Sequence, residues 1–116
     1  MTKAISYQLM INVKRPVRIR VGRLGEFLFP AGQYVYTGSA KRNLEARIAR
    51  HLRSDKAQRW HIDWLLVTPG VKITAVKRSR KSECSLNQMI VGMDVVPGFG
   101  ASDCRSGCGS HLRYLG

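Results

Sequence analysis

Residues 34–51 read YVYTGSAKRNLEARIARH, and this stretch decides the fold because it joins three local structures. Its first four residues are β-branched or aromatic, which predicts a strand. Gly38 predicts a break after that strand, because a glycine can adopt positive φ or let another backbone or a phosphate come close. The residues that follow predict an amphipathic helix, and Ser39 or Asn43 can cap its first turn.

The predicted helix has an apolar stripe and a polar border. Leu44, Ile48 and Leu52 recur every four residues, which predicts a face turned toward the core. Arg47 and His51 are also four residues apart and therefore lie one above the other. We expect these two side chains at the border of the stripe, close to the core and within reach of a cleft.

The composition predicts a single soluble domain over residues 1–116 and a polyanionic partner. The chain has 20 Lys and Arg against 7 Asp and Glu, a formal net charge of +13. Such an excess repels itself unless it meets a polyanion, and nucleic acid is the leading candidate. The chain contains no run of ~18 apolar residues, so we expect no membrane span. The first residues lack the layout of a signal peptide. We therefore expect a cytoplasmic protein without a membrane partner.

Further elements follow from the pattern along the chain. Residues 4–13 and 71–76 alternate as strands do, and residues 17–29 predict a β-hairpin with Arg18 and Arg20 facing solvent or phosphate. Residues 60–66 predict a short helix, and a helix is also expected after Ser82. This order predicts an α+β fold, in which a small, mainly antiparallel sheet is flanked by helices.

Polar residues on the short helix allow two interpretations. His61 and Asp63 interrupt an apolar segment that also contains Trp60 and Trp64. One interpretation is a histidine that lines a cleft and is oriented by a carboxylate. The other is a structural hydrogen bond within an ordinary helix, which is the commoner case.

Several of these residues resemble the signature of the GIY-YIG nucleases. Tyr36-Thr37-Gly38 stands where that family has Tyr-Ile-Gly, and Ile5-Ser6-Tyr7 stands where it has Gly-Ile-Tyr, with Ile5 in place of the glycine. The chain is similar over nearly its whole length to a small stand-alone branch, the Uri-type nucleases. This wider resemblance rests on Ser39, Leu44, Arg47 and His51, on the segment W-H-I-D-x-L-L, on the Glu83-Cys84 pair, and on G-F-G-x-S-D-C followed by C-x-S-H-L.

The resemblance implies a fold and a set of catalytic roles. It implies a three-stranded antiparallel core sheet, which the hairpin of residues 17–29 would extend. It places a single Mg²⁺ or Mn²⁺ on Glu83, as suits a cation that needs few protein ligands, and the transition-state phosphate on Arg47. Tyr7 and Tyr36 would flank the attacking water, one as the base and the other as the orienting group, with His51 assisting; the resemblance leaves open which of the two is the base. Tyr34 would alternate with Tyr36 in facing the cleft, because strand residues two apart point the same way.

The basic residues around this site predict contacts to nucleic-acid phosphates. The alternative for each is a solvated surface charge. The predicted nucleic-acid-binding residues are Lys41, Arg42, Arg50, Arg53, Lys77, Arg78, Arg80 and Lys81.

The three cysteines allow a second metal hypothesis. Cys104, Cys108 and His111, with Cys84 as a fourth ligand, offer thiolate and imidazole donors that suit a structural zinc. Their spacing is not that of a common zinc ribbon or finger, and the alternative is reduced, buried thiols beside a histidine. An odd number of cysteines without an export signal argues against a disulfide framework.

These observations predict a divalent-metal-dependent endonuclease that hydrolyses phosphodiester bonds. We expect DNA to be favoured, recognised by its structure during repair or processing, with a DNA-repair protein as an expected partner. Two alternatives belong to other classes: a nucleic-acid-binding module without catalysis, and a zinc-stabilised protein that binds RNA or a larger assembly. The replacement of the first glycine by Ile5 keeps the non-catalytic alternative open.

Overall fold

A computed structural model describes residues 6–39, 43–52, 61–80 and 111–116. These residues form six strands, two helices and one 3-10 turn. In chain order they are β1 (Ser6–Val13), β2 (Val17–Val21), the 3-10 turn (Gly22–Leu24), β3 (Gly25–Phe29), β4 (Gly32–Ser39), α1 (Leu44–Leu52), α2 (His61–Leu66), β5 (Val71–Ser79) and β6 (Leu112–Tyr114).

The main sheet is antiparallel, with strand order β5-β1-β4-β6. Alternate residues of β1, which are Tyr7, Leu9, Ile11 and Val13, point to one face and are buried in the core. Helix α1 packs against β1, and its Ile48 belongs to the same core cluster. The α+β class and the mainly antiparallel sheet expected from the sequence are confirmed.

The hairpin forms a two-stranded sheet of its own rather than an extension of the core sheet. The prediction of a hairpin is confirmed, with β2 paired to β3 from Val17↔Phe29 to Val21↔Gly25. The prediction that it extends the core sheet is wrong, because β2 and β3 pair with each other in a separate sheet and not with β5, β1, β4 or β6. The apolar face of the hairpin, with Ile19 and Val21 buried, is instead packed against α2.

Strand β6 was not expected from the sequence, and a tyrosine hydroxyl and a backbone amide hold the chain around it. Tyr114 donates to the carbonyl of Ala31 at 2.6 Å, and the Leu115 amide donates to the carbonyl of Gln33 at 2.8 Å. Gly32, at φ 138°, is required here because an added Cβ would lie 2.9 Å from both the Tyr114 ring and the Gly116 carbonyl carbon. A three-residue strand with one buried leucine has too little pattern to be predicted.

Two element boundaries and one burial prediction need correction. Strand β4 runs through Gly38 to Ser39, so the predicted break at Gly38 is wrong. Strand β5 extends to Ser79, beyond the predicted residues 71–76. The predicted core residue Leu52 is 58 % exposed, whereas His51 on the same helix is buried. No helix in the described residues is long and apolar enough to cross a membrane.

Candidate functional site

Two predicted site residues from distant parts of the chain form a buried hydrogen bond. The Tyr7 hydroxyl lies 2.6 Å from His51 Nε2, and both side chains are only 2 % exposed. Tyr7 is the second residue of β1, and His51 lies in the last turn of α1. This bond explains why α1 turns His51 rather than Leu52 toward the core. One proton can be shared between the phenol and the imidazole, because either group can donate to the other.

Tyr36 completes an aromatic cluster with this pair. Its ring centroid lies 6.5 Å from that of Tyr7 and 6.1 Å from that of His51. Tyr36 pairs with Leu9 in the sheet, so its side chain shares the core face with Tyr7. The structure therefore brings together three of the five residues for which catalytic roles were predicted.

Gly38 makes room for this cluster. It pairs with Tyr7 across β1 and β4, and a Cβ at this position would lie 2.5 Å from both the Cζ atom and the hydroxyl of Tyr7. Gly38 is not among the glycines with positive φ. The glycine is thus needed for space, and the group that approaches it is the Tyr7 side chain rather than a second backbone.

Tyr34 does not join the cluster. Its hydroxyl donates to the carbonyl of Pro30 at 2.6 Å, and its ring packs against Tyr114 and Phe29 with centroid distances of 4.8 and 6.2 Å. Burial, with a contribution from Tyr114, raises the pKa of Tyr34 well above its ordinary value. Tyr34 and Tyr36 point to the same face of the sheet, as expected for strand residues two apart, but Tyr34 packs against Phe29 and Tyr114 rather than against Tyr7 and His51.

Arg47 lies one helical turn before His51 on α1 and is half-buried. Its amide donates to the carbonyl of Asn43 at 3.0 Å, which begins the helical hydrogen bonding. Asn43 has a left-handed φ of 56°, a conformation that asparagine tolerates better than most residues. The predicted metal ligand Glu83 lies outside the described residues, and so do the predicted phosphate contacts Lys41, Arg42, Arg53 and Lys81.

Arg50, a predicted phosphate contact, is engaged in an ion pair with α2. It donates two hydrogen bonds to the Asp63 carboxylate, at 2.9 and 3.0 Å. The Asp63 side chain is fully buried and that of Arg50 is 20 % exposed. The pair therefore ties α1 to α2, and Asp63 has the structural role that was one of its two interpretations.

On the other flank of α1, Arg78 of β5 forms an exposed pair with Glu45. Arg78 donates from Nε and Nη2 to the two carboxylate oxygens at 2.6 and 2.7 Å. These hydrogen bonds lower the pKa of Glu45 and raise that of Arg78. Lys77 and Arg80, predicted as phosphate contacts, are exposed. Sequence analysis did not single out Glu45, although the scarcity of acidic residues is a signal that could have done so.

The described carboxylates do not form a metal site by themselves. Asp63 is bonded to Arg50 and Glu45 to Arg78, while Glu26 is exposed and pairs across the hairpin with Arg20. No group of three or more potential metal ligands occurs among the described residues. His111 is buried immediately before β6, but its predicted zinc partners Cys84, Cys104 and Cys108 lie outside the described part of the chain.

The fold and the cluster define an α+β domain in which α1 closes a tyrosine–tyrosine–histidine group against an antiparallel sheet. The chain belongs to the family described as a domain of unknown function, DUF123, whose model matches residues 6–116. No curated protein and no solved structure is significantly similar to the chain.

Proposed function

We propose that the protein is a divalent-metal-dependent endonuclease of the GIY-YIG type, which hydrolyses phosphodiester bonds and favours DNA. The observation that carries the proposal is the hydrogen bond of 2.6 Å between Tyr7 and His51, beside the ring of Tyr36. The resemblance to GIY-YIG nucleases assigns catalytic roles to these three residues. They are distant in sequence, and β1, β4 and α1 bring them into contact.

The chemistry available to the cluster is proton transfer. Tyr7 donates its proton to His51 Nε2 and becomes a phenolate, which is a stronger base than the phenol. In the reverse direction, His51 protonated at Nε2 returns the proton to the phenolate. A phenolate at this position would remove the proton of a water that attacks phosphorus. The orientation of the Tyr7 ring over Gly38 fixes where that base lies.

Two further roles are proposed for Arg47, one helical turn before His51, and for Glu83, which lies outside the described residues. Arg47 stabilises the charge that develops on the phosphate, for which a planar guanidinium that donates two hydrogen bonds is suited. Glu83 would hold the Mg²⁺ or Mn²⁺ ion, which supplies charge stabilisation at the phosphate when it is bound.

The charge of the chain supports a polyanionic substrate. The net charge is +13, and described basic side chains are exposed on both β2 and β5. A domain of this size has little surface for reading a long sequence, so we propose that DNA structure or a partner protein directs cleavage. DNA repair or processing is the process that fits such a substrate.

Cleavage of defined substrates tests the proposal. The protein is incubated with supercoiled plasmid and with single-stranded, duplex and branched oligonucleotides, each in EDTA, Mg²⁺ and Mn²⁺. We expect cleavage only with the metal ions, and we expect Arg47→Ala and Glu83→Ala to lose it by about 100-fold or more. Arg15→Ala removes an exposed arginine between β1 and β2 to which no role is assigned, and it serves as the matched control. Activity that survives in EDTA or in both site variants would overturn the proposal.

One observation favours a second candidate, a nucleic-acid-binding domain without catalysis. Tyr7, Tyr36 and His51 are at most 7 % exposed, as expected for residues that serve the core. This candidate predicts salt-sensitive binding of the same oligonucleotides with no cleavage in any metal. It also predicts that Tyr7→Phe changes stability and leaves binding unchanged.

A further inference from the structure

The Arg78–Glu45 pair lies beside the Tyr7–His51 cluster. Arg78 is the cross-strand partner of Tyr7 in β5, on the side opposite Gly38. Side chains directly paired in antiparallel strands lie on the same face of the sheet. The Arg78 side chain therefore lies on the same face of the sheet as that of Tyr7, and its guanidinium binds Glu45 in the first turn of α1.

The geometry of this pair is that of an arginine bound to an oxyanion with two acceptors. Nε and Nη2 each donate to a different carboxylate oxygen, at 2.6 and 2.7 Å. A phosphodiester also presents two oxygens to one guanidinium edge and binds arginine in the same bidentate manner. The Glu45 carboxylate thus occupies the position that one phosphate group would take.

The pair is exposed and can exchange. The Arg78 and Glu45 side chains are 45 % and 69 % exposed, so water and ions screen their attraction. Arg50–Asp63, on the other flank of α1, has a fully buried carboxylate and cannot exchange in this way. Arg80, two residues beyond Arg78, and Lys77, on the opposite face of β5, are also exposed, so this part of the chain presents further positive charge to an incoming polyanion.

We propose that Arg78 is a phosphate-binding residue whose site Glu45 occupies in the free protein, so that the nucleic-acid backbone binds by displacing Glu45. The inference rests on the proposed function, because it assumes a nucleic-acid substrate. What it adds is a carboxylate, that of Glu45, which competes with the substrate for Arg78. Displacement removes the ion pair that joins α1 to β5 and leaves the buried Tyr7–His51 bond, which joins α1 to β1. Glu45 also excludes weak or isolated anions, because only a strand with several phosphates compensates for the lost ion pair.

Binding in EDTA separates this inference from catalysis. Fluorescence anisotropy with labelled single-stranded and duplex oligonucleotides measures Kd for the wild type, Glu45→Gln, Arg78→Gln and the double variant. Glu26→Gln makes the same charge change at an exposed site on the hairpin and is the matched control. Thermal unfolding of each variant confirms that the fold is retained, as expected for changes in an exposed pair.

We expect Glu45→Gln to bind about two- to fivefold more tightly than the wild type, as expected for an exposed ion pair that no longer competes. Glu26→Gln is expected to bind less tightly than Glu45→Gln, and Arg78→Gln to bind more weakly than the wild type. The decisive expectation is that Glu45→Gln has no effect in the Arg78→Gln background.

Other outcomes overturn the inference and are distinguishable from a failure of the proposed function. If the wild type binds and Glu45→Gln matches Glu26→Gln, or if its effect persists without Arg78, then Glu45 does not compete for Arg78 and the endonuclease proposal stands. If no oligonucleotide binds to the wild type, both proposals fall. If Glu45→Gln only lowers the unfolding temperature, the pair is a structural tie and the inference is wrong.

Discussion

At the scale of single residues, the position of the Tyr7 hydroxyl depends on the absence of a side chain at residue 38. Gly38→Ala would place a Cβ 2.5 Å from that hydroxyl, so the ring must move and the bond to His51 must break. We expect a loss of about 1–3 kcal/mol in the free energy of unfolding, as for other overpacked cores. Urea unfolding measures this loss, and any nuclease activity should fall with it.

The double variant Tyr7→Leu, Gly38→Ala distinguishes the clash with Tyr7 from any other destabilising effect of an alanine at residue 38. Tyr7→Leu removes the atoms that Gly38 accommodates, so Gly38→Ala should cost little more in that background. An equal loss in both backgrounds would show that Gly38 is needed for some reason other than Tyr7. No spacing in the sequence could reveal this contact, because it depends on the register of β1 against β4.

Tyr34 provides a prediction about alkaline pH. Burial raises its pKa above the ordinary value of 10.0. Above about pH 10 the unfolded chain therefore loses this proton while the folded chain keeps it, so the stability from Tyr34 is present below pH 10 and is lost as pH rises. We expect the unfolding free energy to fall with pH in this range and to fall less steeply in Tyr34→Phe.

The matched variant for Tyr34 is Tyr114→Phe. Each variant removes one hydroxyl that donates to a carbonyl at 2.6 Å, so each should lose about 1 kcal/mol near neutral pH. Tyr34→Phe should change the alkaline slope of the unfolding free energy against pH more than Tyr114→Phe does. Identical slopes in the two variants would contradict the assignment of the effect to Tyr34.

At the scale of elements, α1 is held from two sides by ion pairs of different strength. Arg50→Ala would leave the fully buried Asp63 carboxylate without its partner. We expect a loss of about 3 kcal/mol in the free energy of unfolding, since an uncompensated buried charge is costly. Urea unfolding measures it, with Glu45→Gln as the control on the exposed flank, where little change is expected.

The reverse result would change the description of α1. If Glu45→Gln destabilised the protein as much as Arg50→Ala, both pairs would be structural ties. If Arg50→Ala left stability unchanged and weakened DNA binding, Arg50 would be a phosphate contact, as the sequence alone suggested.

Strong local patterns predicted elements well, and tertiary contacts decided the rest. The alternation in residues 17–29 and the helical period from Leu44 were sufficient for the hairpin and α1. Leu52 is exposed because the Tyr7–His51 bond sets the rotation of α1, which periodicity cannot specify. The hairpin forms its own two-stranded sheet and packs against α2, a tertiary contact that the alternation within residues 17–29 does not encode.

At the scale of the whole molecule, the net charge of +13 predicts salt-dependent binding. Each phosphate contact contributes a slope of about 0.9 in a plot of log K against log salt concentration. With two or more contacts, affinity for duplex DNA should fall about tenfold or more between about 50 and about 200 mM salt. Anisotropy titrations measure this slope, and an affinity independent of salt would exclude the phosphate backbone as the main contact.

The candidate site was predictable from sequence only through resemblance. Composition and charge indicate a nucleic-acid partner, but they do not pair Tyr7 with His51, which are 44 residues apart. The motif order predicted that these residues belong together, and the structure describes how β1, β4 and α1 bring them into contact. The ion pairs of Arg50 and Arg78 were missed because each joins two elements whose packing no local pattern encodes.

The central claim is that Tyr7, Tyr36 and His51 form the reaction centre. The chain has four tyrosines, and the most direct test measures DNA cleavage with Mg²⁺ or Mn²⁺ for Tyr→Phe at each of them. Loss of the proposed base in Tyr7→Phe, and of the group that orients the water in Tyr36→Phe, should each lower the rate about 100-fold or more. Tyr34→Phe and Tyr114→Phe should stay within a few-fold of wild type at equal folded fraction. Equal rates for all four variants, or no cleavage by the wild type on any substrate, would contradict the claim.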